Sequence, residues 1–331
     1  MEEKDLSRNH LISLVKIIVS ASLIILLASK LGLKEILSQF KHTNLNWIGF
    51  AILIITMSNI LGSLQWHLLL RAQNINLPFM RVVGYYYVGL FFNNFLIGYI
   101  GGDAVRIYDI RKSSGNSSSA VSAVFLDRFM GFFIITAMAL AALLFWQNML
   151  QSKTALFVIL AIFLCWMVSF LFIFHFNLAQ RVGRLLRFLM NPRINGKLKE
   201  IYLSIHSYRD QKATISVVVI ISLAIQFIRI MVHYCAALAV GLEGQLKYFF
   251  IFIPIIALVA SLPISIGGIG VREGSGVALF SNITGFPPEI VVAMEFLAYL
   301  IGVTAALPGG LIFILRKEKP EFNDQTTGGI Q

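Results

Sequence analysis

Two short stretches of the sequence combine paired glycines with an arginine, a combination suited to binding an anionic oxygen. They are residues 98–106 and 264–272, and both contain Ile-Gly-Gly-x-x-Val-Arg. The offset between them is 166 residues, from Arg106 to Arg272. Glycine lets the backbone turn and approach a ligand closely, and arginine binds phosphate through parallel hydrogen bonds. The duplicated motif therefore predicts two contact regions for a phosphate-like group.

Nine residues of these stretches form the expected contact set for a substrate. Asp103 and Glu273 lie beside the arginines, and we expect them to neutralise these cations when no substrate is bound, or to carry a proton. A simpler interpretation is that the glycines only turn the chain and the arginines extend to lipid head groups. The expected contact residues are Gly101, Gly102, Asp103, Arg106, Gly267, Gly268, Gly270, Arg272 and Glu273.

Four further charges interrupt long apolar stretches. They are Asp127, Arg128, Arg229 and Glu295. An ionised side chain inside a bilayer is costly unless it is paired or hydrated, so such residues are functional candidates. We expect them to form a charge relay or a gate. The alternative is a set of structural ion pairs between helices.

Uncharged polar residues precede the first glycine pair. Asn93, Asn94 and Tyr86 are expected to line a polar cavity, although hydrogen bonds between helices are an alternative role. His233 also lies in an apolar stretch and is a candidate for binding a ligand or a proton.

Apolar segments of membrane-spanning length carry these residues. Hydrophobic residues make up 57% and charged residues 13% of the chain, against about 25% charged residues in soluble domains. A spanning helix needs about 20 apolar residues. We therefore expect an all-α polytopic membrane protein. The apolar segments are expected at residues 11–28, 47–66, 82–100, 120–146, 154–176, 213–240, 249–266 and 290–315.

The apolar segments recur at the same offset as the glycine motif, which divides the chain into two halves. Residues 1–150 form the first expected membrane repeat. Residues 151–319 form the second, with a basic loop at 177–212, and residues 320–331 form a polar tail. We expect about six full crossings, with the two glycine segments entering and returning as re-entrant hairpins. Three crossings per half give an inverted-topology repeat, as in many transporters.

The distribution of basic residues orients the chain. With the N-terminus in the cytoplasm, the loops on that side hold about eighteen Lys and Arg and the outer loops about six, which fits the positive-inside rule. We therefore expect a protein of the cytoplasmic membrane with both termini cytoplasmic. The net charge of +11 fits basic loops facing anionic lipid, and we expect no nucleic-acid partner.

Sequence patterns for other chemistry are absent. The chain has no Gly-x-Ser-x-Gly, His-Glu-x-x-His or phosphate-binding P-loop pattern. Cys165 and Cys235 lie inside apolar runs without the spacing of a metal site or a disulfide framework. We expect no metal, no cofactor and no enzymatic activity.

The two motif regions together resemble a known family. They run from Asn93-Asn94-Phe95 through Gly101-Gly102-Asp103-Ala104-Val105-Arg106, with Leu126-Asp127-Arg128 downstream, and from Leu262-Pro263 through Gly267-Gly268-Ile269-Gly270-Val271-Arg272-Glu273. Over nearly its whole length the chain resembles the flippase-like membrane domain of the lysylphosphatidylglycerol synthase superfamily, in its stand-alone form. The aminoacylating members carry a soluble domain after the membrane part. This chain ends at Gln331 after a short tail, so lysine transfer is not expected.

The resemblance implies translocation of an anionic phospholipid or a polyprenyl-phosphate-linked lipid across the cytoplasmic membrane. The expected partners are that lipid and a cell-envelope glycosyltransferase or lipid synthase. Two alternatives stay open. One is a membrane-embedded lipid-phosphate transferase with Asp103 or Asp127 as base. The other is a scaffold partner of a glycosyltransferase, for which the loop at 177–212 matters more than the arginines.

Overall fold

The computed structural model describes most of the chain, and the secondary structure in the described part is helical. The expected segment at 11–28 and the tail at 320–331 lie outside the described residues, as does most of the first half of the basic loop. The described residues are 33–41, 43–95, 100–145, 153–174, 192–262, 265 and 267–316.

The helices of these ranges are named here in chain order. They are α1 (Leu33–Ser38), α2 (Leu45–Ala72), α3 (Phe79–Phe95), α4 (Ile100–Ser114), α5 (Ser117–Phe145), α6 (Lys153–Phe174), α7 (Pro192–His206), α8 (Lys212–Ala239), α9 (Leu246–Ala260), α10 (Val271–Gly276) and α11 (Pro288–Leu315). A π-helical segment, Val277–Ser281, and a last turn, Asn282–Thr284, continue α10.

Four of the described helices are long and apolar enough to cross a membrane, namely α2, α5, α8 and α11. Each has 28 or 29 residues, and 28 helical residues extend about 42 Å, enough to pass the hydrocarbon layer of about 30 Å. Shorter apolar helices occur at Ile159–Leu171, within α6, and at α9. The expectation of an all-α membrane protein is confirmed, and the number of full crossings stays a prediction.

Local sequence signals fix the ends of the long helices. Asn44 precedes α2, and its side-chain oxygen accepts a hydrogen bond from the amide of Asn46 at 3.0 Å. Such a side chain satisfies one of the amides that the first turn of a helix leaves free. At the start of α11, Pro287 and Pro288 occupy positions where a proline removes no helical hydrogen bond.

Corresponding helices in the two halves have corresponding packing partners. Helix α2 packs on α8, α3 packs on α11, and α9 packs on α5. At the offset of 166 residues, α2 corresponds to α8, α3 to α9 and α5 to α11. The contact of α3 with α11 in one half therefore corresponds to the contact of α9 with α5 in the other, and the contact of α2 with α8 corresponds to itself. The direction in which each half crosses a membrane stays a prediction.

The two glycine pairs fold differently, although their sequences match. Gly267 and Gly268 have φ values of 60° and 77°, and they form a turn before α10. Gly102 instead lies in the first turn of α4, where a Cβ atom would overlap the carbonyl oxygen of Gly89 on α3. One pair therefore supplies a turn that only glycine adopts easily, and the other allows α3 and α4 to approach closely.

The described part of the expected basic loop contains helix α7, which packs on α5. The turn that follows α7 is fixed to the end of α2. Tyr208 donates its hydroxyl to the carbonyl of Leu69 at 2.8 Å, and the amide nitrogen of the Gln73 side chain donates to the carbonyl of Ser204 at 2.8 Å. Burial raises the pKa of Tyr208 well above its usual value, so the hydroxyl keeps its proton.

Candidate functional site

A cavity of about 270 Å³ lies inside the helix bundle, between the two halves of the chain. Helices α2, α3 and α5 of the first half and α8, α9, α10 and α11 of the second contribute to its wall. Eight residues that the sequence singles out are brought together there. They are Tyr86, Asn93, Asn94, Asp127, Arg128, Arg229, His233 and Arg272.

Three arginines from three helices give the cavity its charge. Arg128 comes from α5, Arg229 from α8 and Arg272 from α10, whereas Asp127 is the one carboxylate among the described lining residues. Arg229 forms no ion pair with any residue that the structure describes. The guanidinium of Arg272 lies 5.6 Å from the centre of the Tyr299 ring. The wall therefore carries an excess of positive charge.

Arg106 is not among the side chains that line this cavity. It is 2% exposed and lies between two rings, with its guanidinium carbon 4.1 Å from the centre of Trp66 and 4.7 Å from that of Tyr86. Its Nη2 donates to Oδ2 of Asp127 at 2.9 Å. Stacking and an ion pair together hold Arg106 in place. Arg106 therefore positions Asp127 from behind the cavity wall.

Asp103 and Arg128 form the second ion pair of this network. Arg128 donates from Nε and Nη2 to the two oxygens of Asp103, both at 2.8 Å. Asp103 also lies 3.4 Å from Nη1 of Arg106. Two parallel hydrogen bonds of this kind are strong and directional. The pair joins α4 to α5 at the edge of the cavity.

Hydrogen bonds extend the network to α2 and α8. Gln65 donates its side-chain amide to Oδ1 of Asp127 at 2.8 Å, and the hydroxyl of Ser222 donates to Oε1 of Gln65 at 2.7 Å. Asp127 and Arg128 thus belong to one connected network of hydrogen bonds and ion pairs, and their role as a charge relay or gate stays a prediction. The described contacts of Arg229 and Glu295 do not include this network.

Two of the predicted glycines donate backbone hydrogen bonds to polar side chains at or beside the cavity. The amide of Gly102 donates to Oδ1 of Asn93 at 3.0 Å, which fixes one lining side chain. The amide of Gly270 donates to Oε2 of Glu273 at 2.6 Å, so Glu273 caps the start of α10 beside Arg272. None of the five predicted glycines, Gly101, Gly102, Gly267, Gly268 and Gly270, belongs to the described lining.

Glu295 of α11 lies completely buried behind the cavity wall. Its Oε2 is 3.3 Å from Nδ1 of His233 on α8, and His233 does line the cavity. Gly276 of α10 leaves the space for this carboxylate, because a Cβ atom there would lie 3.0 Å from Cγ of Glu295. The second half therefore has its own buried pair of ionisable side chains.

The sequence interpretation missed Gln65, Ser222 and Gln226 as site residues. The signal for two of them is present in α8, where Ser222, Gln226, Arg229 and His233 follow one another at intervals of four, three and four residues. That spacing places them on one face of a helix. All four line the cavity. A lone Gln65 among the apolar residues of α2 gives no such periodic signal.

Comparison with known proteins identifies the family. The chain matches the family described as the lysylphosphatidylglycerol synthase TM region over residues 13–310. It belongs to this family. The resemblance that the two glycine motifs indicate is therefore confirmed.

Two archaeal proteins are similar over nearly their whole length. Both are named UPF0104 membrane protein. The one from Pyrococcus horikoshii is 24% identical over 328 residues, which cover 92% of this chain and 96% of that protein. The one from Methanothermobacter thermautotrophicus is 24% identical over 316 residues, which cover 88% of this chain and 89% of that protein.

Proposed function

We propose that the protein flips an anionic lipid, either a phospholipid or a polyprenyl-phosphate-linked lipid, across the cytoplasmic membrane. The observation that carries this proposal is the convergence of Arg128, Arg229 and Arg272 on one cavity inside the bundle. Arginine binds phosphate through a planar fork of donors and keeps its charge at any physiological pH. A cavity with surplus guanidinium groups among apolar helices is suited to a phosphate-bearing head group.

The size of the cavity supports passage of a head group rather than of a whole lipid. Its volume of about 270 Å³ is close to the lower end of small-molecule pockets, about 300 Å³. The head group would move through this polar interior while the hydrocarbon tails stay in the bilayer. The alternating access that we propose consists of movement of one half against the other, as in transporters with inverted repeats.

The ion pair of Asp103 with Arg128 provides a gate for that movement. A phosphate that binds Arg128 competes with Asp103 for the same nitrogen atoms, which now make two bonds of 2.8 Å. Release of Asp103 would loosen α4 from α5. Arg229 gives the incoming head group its first uncompensated positive charge.

Leaflet-resolved transport of fluorescent phosphatidylglycerol in proteoliposomes tests the proposal. Arg229→Gln should slow flipping by about 10- to 100-fold, because a hydrogen bond to a charged group contributes about 1.5–3 kcal/mol. Arg81→Gln is the matched control, since Arg81 is exposed near the start of α3. Parental transport by Arg229→Gln contradicts the proposal.

The same vesicles distinguish transport of the lipid from a chemical reaction on its head group. We expect mass spectrometry of the recovered lipid to show the input molecule unchanged. A chemically altered head group would instead support the membrane-embedded transferase.

A further inference from the structure

A cluster of buried ionisable groups lies beside the cavity, apart from the Arg106 network. Glu295 is completely buried, and its nearest described ionic neighbour is His233 at 3.3 Å. Glu273 is 4% exposed and uses Oε2 to cap α10, whereas its Oε1 has no hydrogen-bond partner among the described residues. Both oxygens of Glu295 also lack a hydrogen-bond donor of good geometry in the described part of the chain.

The helices around Glu295 supply few other charges. Helix α8 contributes Arg229, one turn before His233, and α10 contributes Arg272, next to Glu273. The phenol of Tyr299 follows one turn later on α11 itself.

The remaining neighbours of Glu295 are apolar. Helices α2 and α9 contribute the apolar side chains of Ile55 and Ile253 to the cavity wall. The turn that follows α1 meets α11 through Phe40, whose ring contacts that of Phe296. Helix α3 packs around Gly309, about 21 Å further along α11. Arg229 and Arg272 are therefore the described cations around this cluster, and Glu295 itself pairs with His233 alone among the described residues.

We propose that Glu295, His233 and Glu273 form a proton-binding site that exchanges with the cavity, so that one proton moves with each anionic head group. An ionised Glu295 beside a neutral imidazole would leave an excess negative charge on a completely buried carboxylate that no described donor reaches with good geometry, which is strongly unfavourable. One bound proton removes that excess. The coupling to lipid movement rests on the function proposed above.

His233 gives the buried carboxylate its route to the cavity. It lines both the main cavity and an adjoining chamber of about 60 Å³, whose wall also includes Arg272. A space of that size can hold water in contact with polar groups. A proton therefore passes between Glu295 and the cavity through the imidazole, which can accept it on one nitrogen and release it from the other.

The position of the cluster couples proton binding to anion binding. When the site holds its proton, His233 and Glu295 neutralise each other. When the proton leaves, a bare carboxylate lies behind the cavity and repels an anion in it. Each ligand therefore raises the affinity for the other by the same factor. A monovalent head group that moves with one proton also carries no net charge across the membrane potential.

An imposed pH gradient across proteoliposomes tests the coupling, with the membrane potential held at zero and a trace of fluorescent phosphatidylglycerol. For one proton per lipid, a gradient of about one pH unit should change the leaflet ratio of the label about tenfold. In Glu295→Gln the ratio should no longer respond to the gradient. Glu289→Gln, on the same helix and partly exposed, should respond like the parent.

Three results overturn the inference, and a fourth separates it from the proposed function. A parent that flips lipid without responding to the gradient overturns it, and so does an undiminished response in Glu295→Gln. If the parent moves no lipid, the proposed function fails, and potentiometric titration of the purified protein decides the proton site. Between about pH 5 and about pH 9 the parent should then release about one proton more than Glu295→Gln. Equal release overturns the site.

Discussion

Arg106 and Arg229 both lie inside the helix bundle, but their surroundings give them opposite tasks. Arg106 stacks between Trp66 and Tyr86 and pairs with Asp127, so its charge is already used within the protein. Arg229 lines the cavity and forms no ion pair with a described residue. The duplicated motif draws attention to Arg106. The structure shows that Arg106 is held within the protein, whereas Arg229 faces the cavity.

Removal of one partner of the buried ion pair between Arg106 and Asp127 should destabilise the protein. Asp127→Asn leaves a buried guanidinium without its nearest carboxylate, and we expect it to lower the free energy of unfolding by about 3–5 kcal/mol. Thermal unfolding in detergent measures the effect, with the exposed Asp210→Asn as control. The double variant Arg106→Gln with Asp127→Asn should lose less than the sum of the single losses. Additive losses would show that the two residues are independent.

Glycine residues allow several helices of this protein to cross at short distance. Helix α3 approaches α4 at Gly102, and it approaches α11 at Gly309 and Gly310. A Cβ atom at Gly309 would overlap the carbonyl oxygen of Tyr87, and one at Gly310 would press on the ring of Phe91. Small residues at crossings let backbones pack closely inside a membrane. Helix α3, which carries Asn93 and Asn94, is therefore held from both sides.

The crossing at Gly309 can be tested on a single helix. Gly309→Ala forces α11 away from α3 and should lower stability by about 1–3 kcal/mol. Gly302→Ala is the matched control, because no atom lies within 4 Å of its Cβ position. That control should keep or slightly raise the melting temperature, since alanine favours the helix. Equal melting temperatures for the two variants would argue against a tight crossing.

The helices themselves were largely predictable from the sequence. The apolar run at 213–240 is observed as Lys212–Ala239, and the run at 120–146 as Ser117–Phe145. Hydrophobic length determines these bounds. The predicted apolar segment at 249–266 overlaps α9, which is observed as Leu246–Ala260, and the turn at Gly267 lies after it.

The contacts between helices were not predictable in the same way. The pairing of Asp103 with Arg128 depends on how α4 and α5 rotate against each other, and periodicity within one helix carries no information on that rotation. The close approach of Gly102 to Gly89 likewise involves a residue on another helix, which local sequence does not reveal. Local sequence therefore located the charged residues without showing which would meet in the cavity.

Across the whole molecule, the cavity depends on both halves of the chain. Arg128 and Asp127 come from the first half, and Arg229, His233 and Arg272 come from the second. Neither half contains the full set. A relative movement of the halves would therefore change the separation of the three arginines, which is what the proposed gating requires.

The expected inverted arrangement of the halves can be tested on the intact protein in its membrane. In a Cys165→Ala, Cys235→Ala background, Ser114→Cys should react with an impermeant thiol reagent from the cytoplasmic side only. Asn282→Cys should react from the outer side only, because three crossings per half reverse the second half. Both positions are exposed. Labelling of both from one side would rule out the inverted arrangement.

The contact between α2 and α8 bears on how such a chain could arise. These helices occupy equivalent places in the two halves and pack on each other, as identical helices do across the two-fold axis of a homodimer. A half-length ancestor that assembled in pairs would give this pattern after fusion of two gene copies. Fusion also ends the requirement that both copies be identical. Ser63 on α2 corresponds to Arg229 on α8 at the offset of 166, so the fused chain has one strongly cationic wall in place of two equal ones.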